Sequence, residues 1–276
     1  MRSWLSWACA LVAILGTPLN AARAQEAGQR YALLVGVNRY EHKAELKAPD
    51  LKYADGDMAA LAGALEAGGF RRDNVVLMTT RSDAGDRLSP RSSNVRKELK
   101  SLLARCTPAD SVVIAFAGYE KQTRGSDEYY LCTTYARPLN RETMISLSEV
   151  YKELAVCKAG LKLVCVDSCR GAEKKDDAEA PQQKAPPAGV ATWFACSAGQ
   201  QAYEHDSLKH GLFTHFIVTG LGGAADSDGD GKVTLAELAP YVAKKVPDYA
   251  STHLKVRQAP ELIGATEQRR ALVATK

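Results

Sequence analysis

Five near-continuous apolar runs of strand length, alternating for most of the chain with stretches of helix length, most constrain what this sequence folds into. The runs are Tyr31 to Val37, Asn74 to Thr80, Ser111 to Gly118, Leu161 to Asp167 and Ala191 to Ser197. Helix-like stretches at Asp55 to Ala67, Ser92 to Leu103 and Ser146 to Leu154 lie between them, and Leu212 to Leu221 and Thr234 to Lys245 follow the last. Val, Ile and Leu strands without polar alternation need apolar cover on both faces, so the pattern predicts an α/β fold with a mainly parallel sheet between helices. Ligands of such sheets bind beyond the carboxyl ends of the strands.

Residues 1–24 read as a signal peptide: Arg2, then an apolar run from Trp4 to Leu15 too short to span a bilayer, then Ala22-Arg23-Ala24 as a cleavage site. The mature chain is expected to start at Gln25, to carry no membrane anchor and to reach the periplasm or the exterior. It is expected to form one domain over 25–276. Removing Arg2 and Arg23 from the formal charge of +4 leaves +2, which offers no basic face to a nucleic acid. The six cysteines outside the leader show no CxxC pair and no histidine at ligand spacing, so no zinc site is expected. Export permits disulfides, and Cys106, Cys132 and Cys157 are candidates among which the sequence selects no pair. Cys165 and Cys196 lie in apolar runs and are expected to be buried.

The fourth run ends in Asp167, Ser168, Cys169, Arg170 and Gly171, a thiol placed where a parallel sheet delivers a nucleophile. Tyr119 and Glu120 stand just past the third run, so one open sheet is expected to bring Tyr119 and Cys169 side by side. Residues 171–189 are charged and rich in Gln, Ala and Pro; they cannot bury a core and are expected to form a mobile loop, either gating the site or a tolerated insertion.

Together YALLVGVNRY, LKYADGDMAALAGAL, SVVIAFAGYE, VCVDSCRG, FACSAGQQAYE and HGLFTHFIVTGL resemble the caspase and metacaspase clan of cysteine peptidases, in order and over nearly the whole mature chain. The resemblance implies a three-layer sandwich with a six-stranded, mainly parallel sheet, and makes Gln258 to Gly264 the last strand. It also implies a catalytic histidine after the third core strand and a catalytic cysteine after the fourth. Cys169 keeps the nucleophile's place, Tyr119 stands at the histidine's, and Glu120 replaces the glycine that follows.

A phenol with a pKa of about 10 holds its proton at neutral pH, whereas an imidazole near 6.5 accepts one. Loss of a general base costs roughly 10²–10⁴ in rate, so an inactive or impaired peptidase is expected. Three features keep activity open: the Glu120 carboxylate, His205 or His210 in the loop after the fifth strand, and positive charge from Arg170. The resemblance further implies acidic residues in the pocket for the residue before the cut. Asp57 and Asp167 fall at those places and would pair with Arg or Lys. Asp57 has a rival role as an acid favoured by the dipole at a helix start.

The segment DSDGDGKVTLAE fits a twelve-residue calcium loop, with Asp226, Asp228 and Asp230 at positions one, three and five, Gly231 at six, the Lys232 carbonyl at seven and Glu237 at twelve. Gly222 and Gly223 interrupt the helix that would precede it, and only one such loop is present. A structural calcium site is therefore expected rather than a sensor. Three functions follow: a secreted pseudo-peptidase that binds basic peptides, an active endopeptidase cutting after Arg or Lys with an unusual base, or a calcium-stabilised interaction module.

Overall fold

The computed structural model describes residues 28–81, 86–122, 128–168, 184–265 and 269–275. In chain order the first half comprises β1 (Arg30–Gly36), α1 (Lys43–Leu46), α2 (Ala54–Ala67), β2 (Val75–Thr79), α3 (Ser92–Leu103), β3 (Ser111–Ala117), β4 (Glu120–Gln122), β5 (Tyr129–Cys132), β6 (Met144–Ser146) and α4 (Leu147–Val156). The second half continues with β7 (Leu161–Asp167), β8 (Ala191–Phe194), β9 (Glu204–His205), β10 (His210–Gly211), α5 (Leu212–Thr219), β11 (Lys232–Thr234), α6 (Leu235–Tyr249), β12 (Glu261–Gly264) and β13 (Ala271–Ala274).

The main sheet has six strands in the order β12-β8-β7-β3-β1-β2, all parallel to their neighbours except β12, which runs antiparallel to β8. Alternate residues of β1 show why its sequence is apolar throughout. Leu33 and Val35 pack with Val95, Leu99, Val150 and Leu154 of α3 and α4 on one face. Ala32 and Leu34 pack with Met58, Leu61, Phe213 and Val242 of α2, α5 and α6 on the other. This is the three-layer, mainly parallel α/β sandwich expected from the sequence.

Element boundaries differ where backbone hydrogen bonding runs out. The fifth run stops being strand at Phe194 rather than Ser197, because its partner β12 begins only at Glu261, after Pro260, which has no N–H to give a ladder. The buried Gln258 side chain takes over, donating to the Ala195 carbonyl at 3.0 Å and accepting from the Tyr203 amide at 3.0 Å. The chain after α5 continues as a wider helical turn to Ala224, broken at Gly223 by a φ of 113°. That break stands where the two glycines are expected to interrupt the helix.

Three small sheets have no counterpart in the sequence reading: β4-β5-β6, β9-β10 and β11-β13. Cys106, Cys132, Cys157, Cys165 and Cys196 are all buried free thiols. No helix among the described residues is long and apolar enough to cross a membrane. The leader, residues 1–24, lies outside the described residues, as do Cys169, Arg170 and 171–183 of the expected loop.

A candidate acidic cleft beside Tyr119

The ends of β3 and β7 are paired residue for residue up to Ala117 and Asp167, and the Gly118 amide donates to the Asp167 carbonyl at 3.1 Å. Tyr119 therefore leaves the sheet beside the strand end that leads to Ser168 and Cys169. A side chain at Gly118 would collide with the Tyr40 hydroxyl, 2.7 Å from where a Cβ would stand. That hydroxyl accepts the Tyr119 amide at 2.8 Å, and the two rings lie 5.4 Å apart. Burial pushes the Tyr40 hydroxyl well above its ordinary pKa, so it stays a neutral acceptor that fixes the course of the chain at Tyr119.

A shallow cleft opens at these strand ends, with Asp57, Tyr119, Asp167, Ser168 and Glu204 in its wall. Asp57, in the first turn of α2, reaches across to β10: its Oδ1 lies 2.5 Å from His210 Nδ1 and its Oδ2 accepts the Gly211 amide at 3.0 Å. Its side chain thus serves the cleft as well as the helix start. Burial raises its pKa against the opposing pull of His210, and the Asp57 hydrogen bond raises that of His210. Asp167 accepts the Thr214 hydroxyl at 2.7 Å. Dense protein around it and the neighbouring Asp57 charge push its carboxyl up to about 7. Glu204 accepts the amides of Lys52 and Tyr53 at 3.1 and 2.8 Å, which holds the loop ahead of α2 against β9.

The side chains that the sequence offers as alternative bases each have a partner. His210 is held by Asp57, and His205 Nδ1 lies 2.8 Å from the Tyr249 hydroxyl. Burial, and then the nearby His210, lowers the pKa of His215. Glu120, the first residue of β4, is buried. Its Oε2 accepts the Ser168 hydroxyl at 2.9 Å, which brings it to the residue before Cys169. Cys169 and Arg170 lie outside the described residues.

In the acidic loop, one oxygen each of Asp226, Asp228 and Glu237 lie within 4.8 Å of one another. That spread suits oxygens surrounding a calcium ion with ligand distances of roughly 2.3–2.6 Å, so these three residues fit the expected ion. Gly231 takes the left-handed turn at a φ of 76°. Asp230, the third carboxylate of the expected set, accepts the Lys232 amide at 2.8 Å and lies 3.7 Å from the Lys232 ammonium. The short strand β11 pairs with β13, with Val233 opposite Val273, and the Thr275 amide donates to the Gly231 carbonyl at 2.8 Å. A lone loop of this kind therefore finds within its own chain the strand partner that paired loops give each other.

Residues 29–271 match the family of C14 peptidases described as the caspase domain. The chain belongs to this family. Among solved structures, a protein of Geobacter sulfurreducens is similar at a TM-score of 0.62 and 14% identity, over 90% of this chain and 100% of that one. Caspase-1 of Spodoptera frugiperda is similar at a TM-score of 0.59 and 13% identity, over 91% of this chain and 92% of that one. No curated protein matches the chain.

Within this caspase domain the structure brings Tyr119, Asp57 and Asp167 to one cleft. Sequence reasoning missed Glu204, Gly211, Thr214 and the Glu120–Ser168 contact. Gly211 and Thr214 lie inside HGLFTHF, a segment that carries the family resemblance, but no single residue there announces that it will serve Asp57 and Asp167. Glu204 is one acid among many until β9 turns it toward the amides before α2.

Proposed function

We propose that this caspase-domain protein binds basic peptide side chains in the Asp57–Asp167 cleft and has lost, or nearly lost, the ability to cut them. The observation that carries the reading is the convergence of the two carboxylates on Gly211, in the same cleft wall as Tyr119. A carboxyl whose proton affinity is raised by a neighbouring carboxylate, as that of Asp167 is by Asp57, is relieved by a cation, and a guanidinium brings charge and paired donors together. Cutting needs more: the thiolate is the nucleophile, and a base must accept its proton. Tyr119 offers a phenol for that task, while His205 and His210 are committed to Tyr249 and Asp57.

One observation favours a second reading, an endopeptidase with an unusual base. The Glu120 carboxylate meets Ser168, the residue before Cys169, so a carboxylate stands near the nucleophile's strand end. In both readings a leader exports the chain, and calcium held by Asp226, Asp228 and Glu237 would steady the loop between α5 and α6. There the ion would supply charge neutralisation and no chemistry.

Calorimetric titration of the mature protein with a short arginine peptide and its citrulline counterpart tests the cleft. Binding of the arginine peptide alone, lost in Asp167→Asn and in Asp57→Asn, supports the proposal. Equal binding of both peptides refutes it.

A further inference from the structure

We propose that Cys106 and Cys157 are a covalent modification site, closing a disulfide that staples the carboxyl ends of α3 and α4. Register brings them together. Ser111 at the start of β3 pairs with Leu161 at the start of β7, so the turn before each strand lies beside the other, and each turn carries one of the two cysteines. The Asp110 carbonyl, in the first turn, accepts the amides of Gly160 and Leu161 in the second at 3.0 and 3.4 Å. Within that clamp both thiols are buried, Cys106 Sγ lies 3.6 Å from the Leu102 carbonyl, and each sulfur is the largest single influence on the other's ionisation.

The surroundings make the two sulfurs unequal, which selects the one that attacks. The Cys106 thiol, the Ala159 amide and the charge of Lys162 favour the thiolate of Cys157, pulled down to about 6, while Cys106 is pushed up. The buried Lys162 ammonium donates to the carbonyls of Leu154 and Cys157 at 3.2 and 3.1 Å, fixing a positive charge at that helix end. Cys132 and Cys165 contrast with this pair: burial pushes both up to about 12 and keeps them as inert thiols. Neither is recorded in contact with another thiol among the described residues.

The step is thiol–disulfide exchange with a dithiol oxidoreductase or oxidised glutathione. The Cys157 thiolate attacks one sulfur of the donor disulfide, breaking it and releasing one donor thiolate. Cys106 then displaces the second donor sulfur from the mixed disulfide, and its proton goes to a released donor thiolate. The chain loses two hydrogens and the donor gains them. The cell would supply the oxidant only if the chain is exported, but the chemistry can be tested without that premise.

Full-length mature protein would be folded with oxidised glutathione, denatured without reductant, alkylated and weighed. Of six cysteines, four should alkylate, and digestion should give one linked peptide joining Cys106 to Cys157. Cys132→Ser should keep that link, and Cys106→Ser should lose it and alkylate at all five remaining thiols. The thermal midpoint of the parent should fall on reduction while that of Cys106→Ser stays put. Six alkylated cysteines in the parent, or a linked peptide joining another pair, overturns the proposal. Amino-terminal sequencing of protein made in cells tests export separately: Gln25 first, with all six thiols reduced, would also count against the staple.

Discussion

Asp57 and Asp167 meet across a single glycine: a Cβ at Gly211 would stand 3.1 Å from an oxygen of each. That closeness is why each needs a partner of its own, His210 and the Gly211 amide for Asp57 and the Thr214 hydroxyl for Asp167. It also gives the cleft its cost in the free protein, and it is the basis of the cation binding proposed above.

The cost has a pH signature. Asp167, pushed to about 7 in the folded chain, ionises near 3.9 when unfolded. The folded state therefore holds a proton that the unfolded chain releases, and stability falls as pH rises from about 4 to about 7. The fall attributable to this group is on the order of 4 kcal/mol, and Asp167→Asn should remove most of it in urea melts at pH 4.5 and 7.5. His210, raised by Asp57, adds stability that is full below about 6.5 and is lost as pH rises through its higher folded value. A residual slope there should survive in Asp167→Asn.

Gly211→Ala tests the closeness itself. The glycine has an ordinary φ of −64°, so alanine suffers from the two carboxylates and not from its backbone. A methyl pressed between them should cost about 1–3 kcal/mol in a denaturant melt and weaken arginine-peptide binding. A neutral outcome would mean that the carboxylates separate freely.

Ser168→Ala removes a donor from the buried Glu120 carboxylate. Hydrogen bonds to charged groups contribute about 1.5–3 kcal/mol, so a loss of that size is expected in equilibrium unfolding. Glu120→Gln, which leaves the hydroxyl a partner, should lose less.

Calcium should raise the thermal midpoint, by about 2.7 kcal/mol of stabilisation at 100 times the dissociation constant, and chelator should reverse it. Asp228→Ala is the cleaner probe. Glu237 also accepts the Thr234 amide at 2.9 Å and caps α6, so its loss weakens the helix with or without the ion. The calcium-induced shift should vanish in Asp228→Ala while chelated samples of variant and parent melt alike.

The sheet was legible because β1, β3 and β7 are buried on both faces, which only unbroken apolar sequence provides. α3 was legible to the residue for the related reason that Val95, Leu99 and Leu102 recur along one face toward the core. The small sheets were not, because strands of two to four residues such as β4, β9 and β11 are too short to show a period. The cleft was half legible. Asp57, Asp167 and Tyr119 follow from family position, but hydrogen bonds between residues over a hundred positions apart, such as Asp57 to His210, leave no local mark.

The account's central claim is that the cleft remains and the base is gone. Turnover of a fluorogenic arginine peptide by the mature parent, Cys169→Ala and Tyr119→His, each in calcium and in chelator, tests it most directly. The prediction is no Cys169-dependent turnover by the parent and measurable turnover by Tyr119→His. Robust cleavage by the parent that disappears in Cys169→Ala would contradict it.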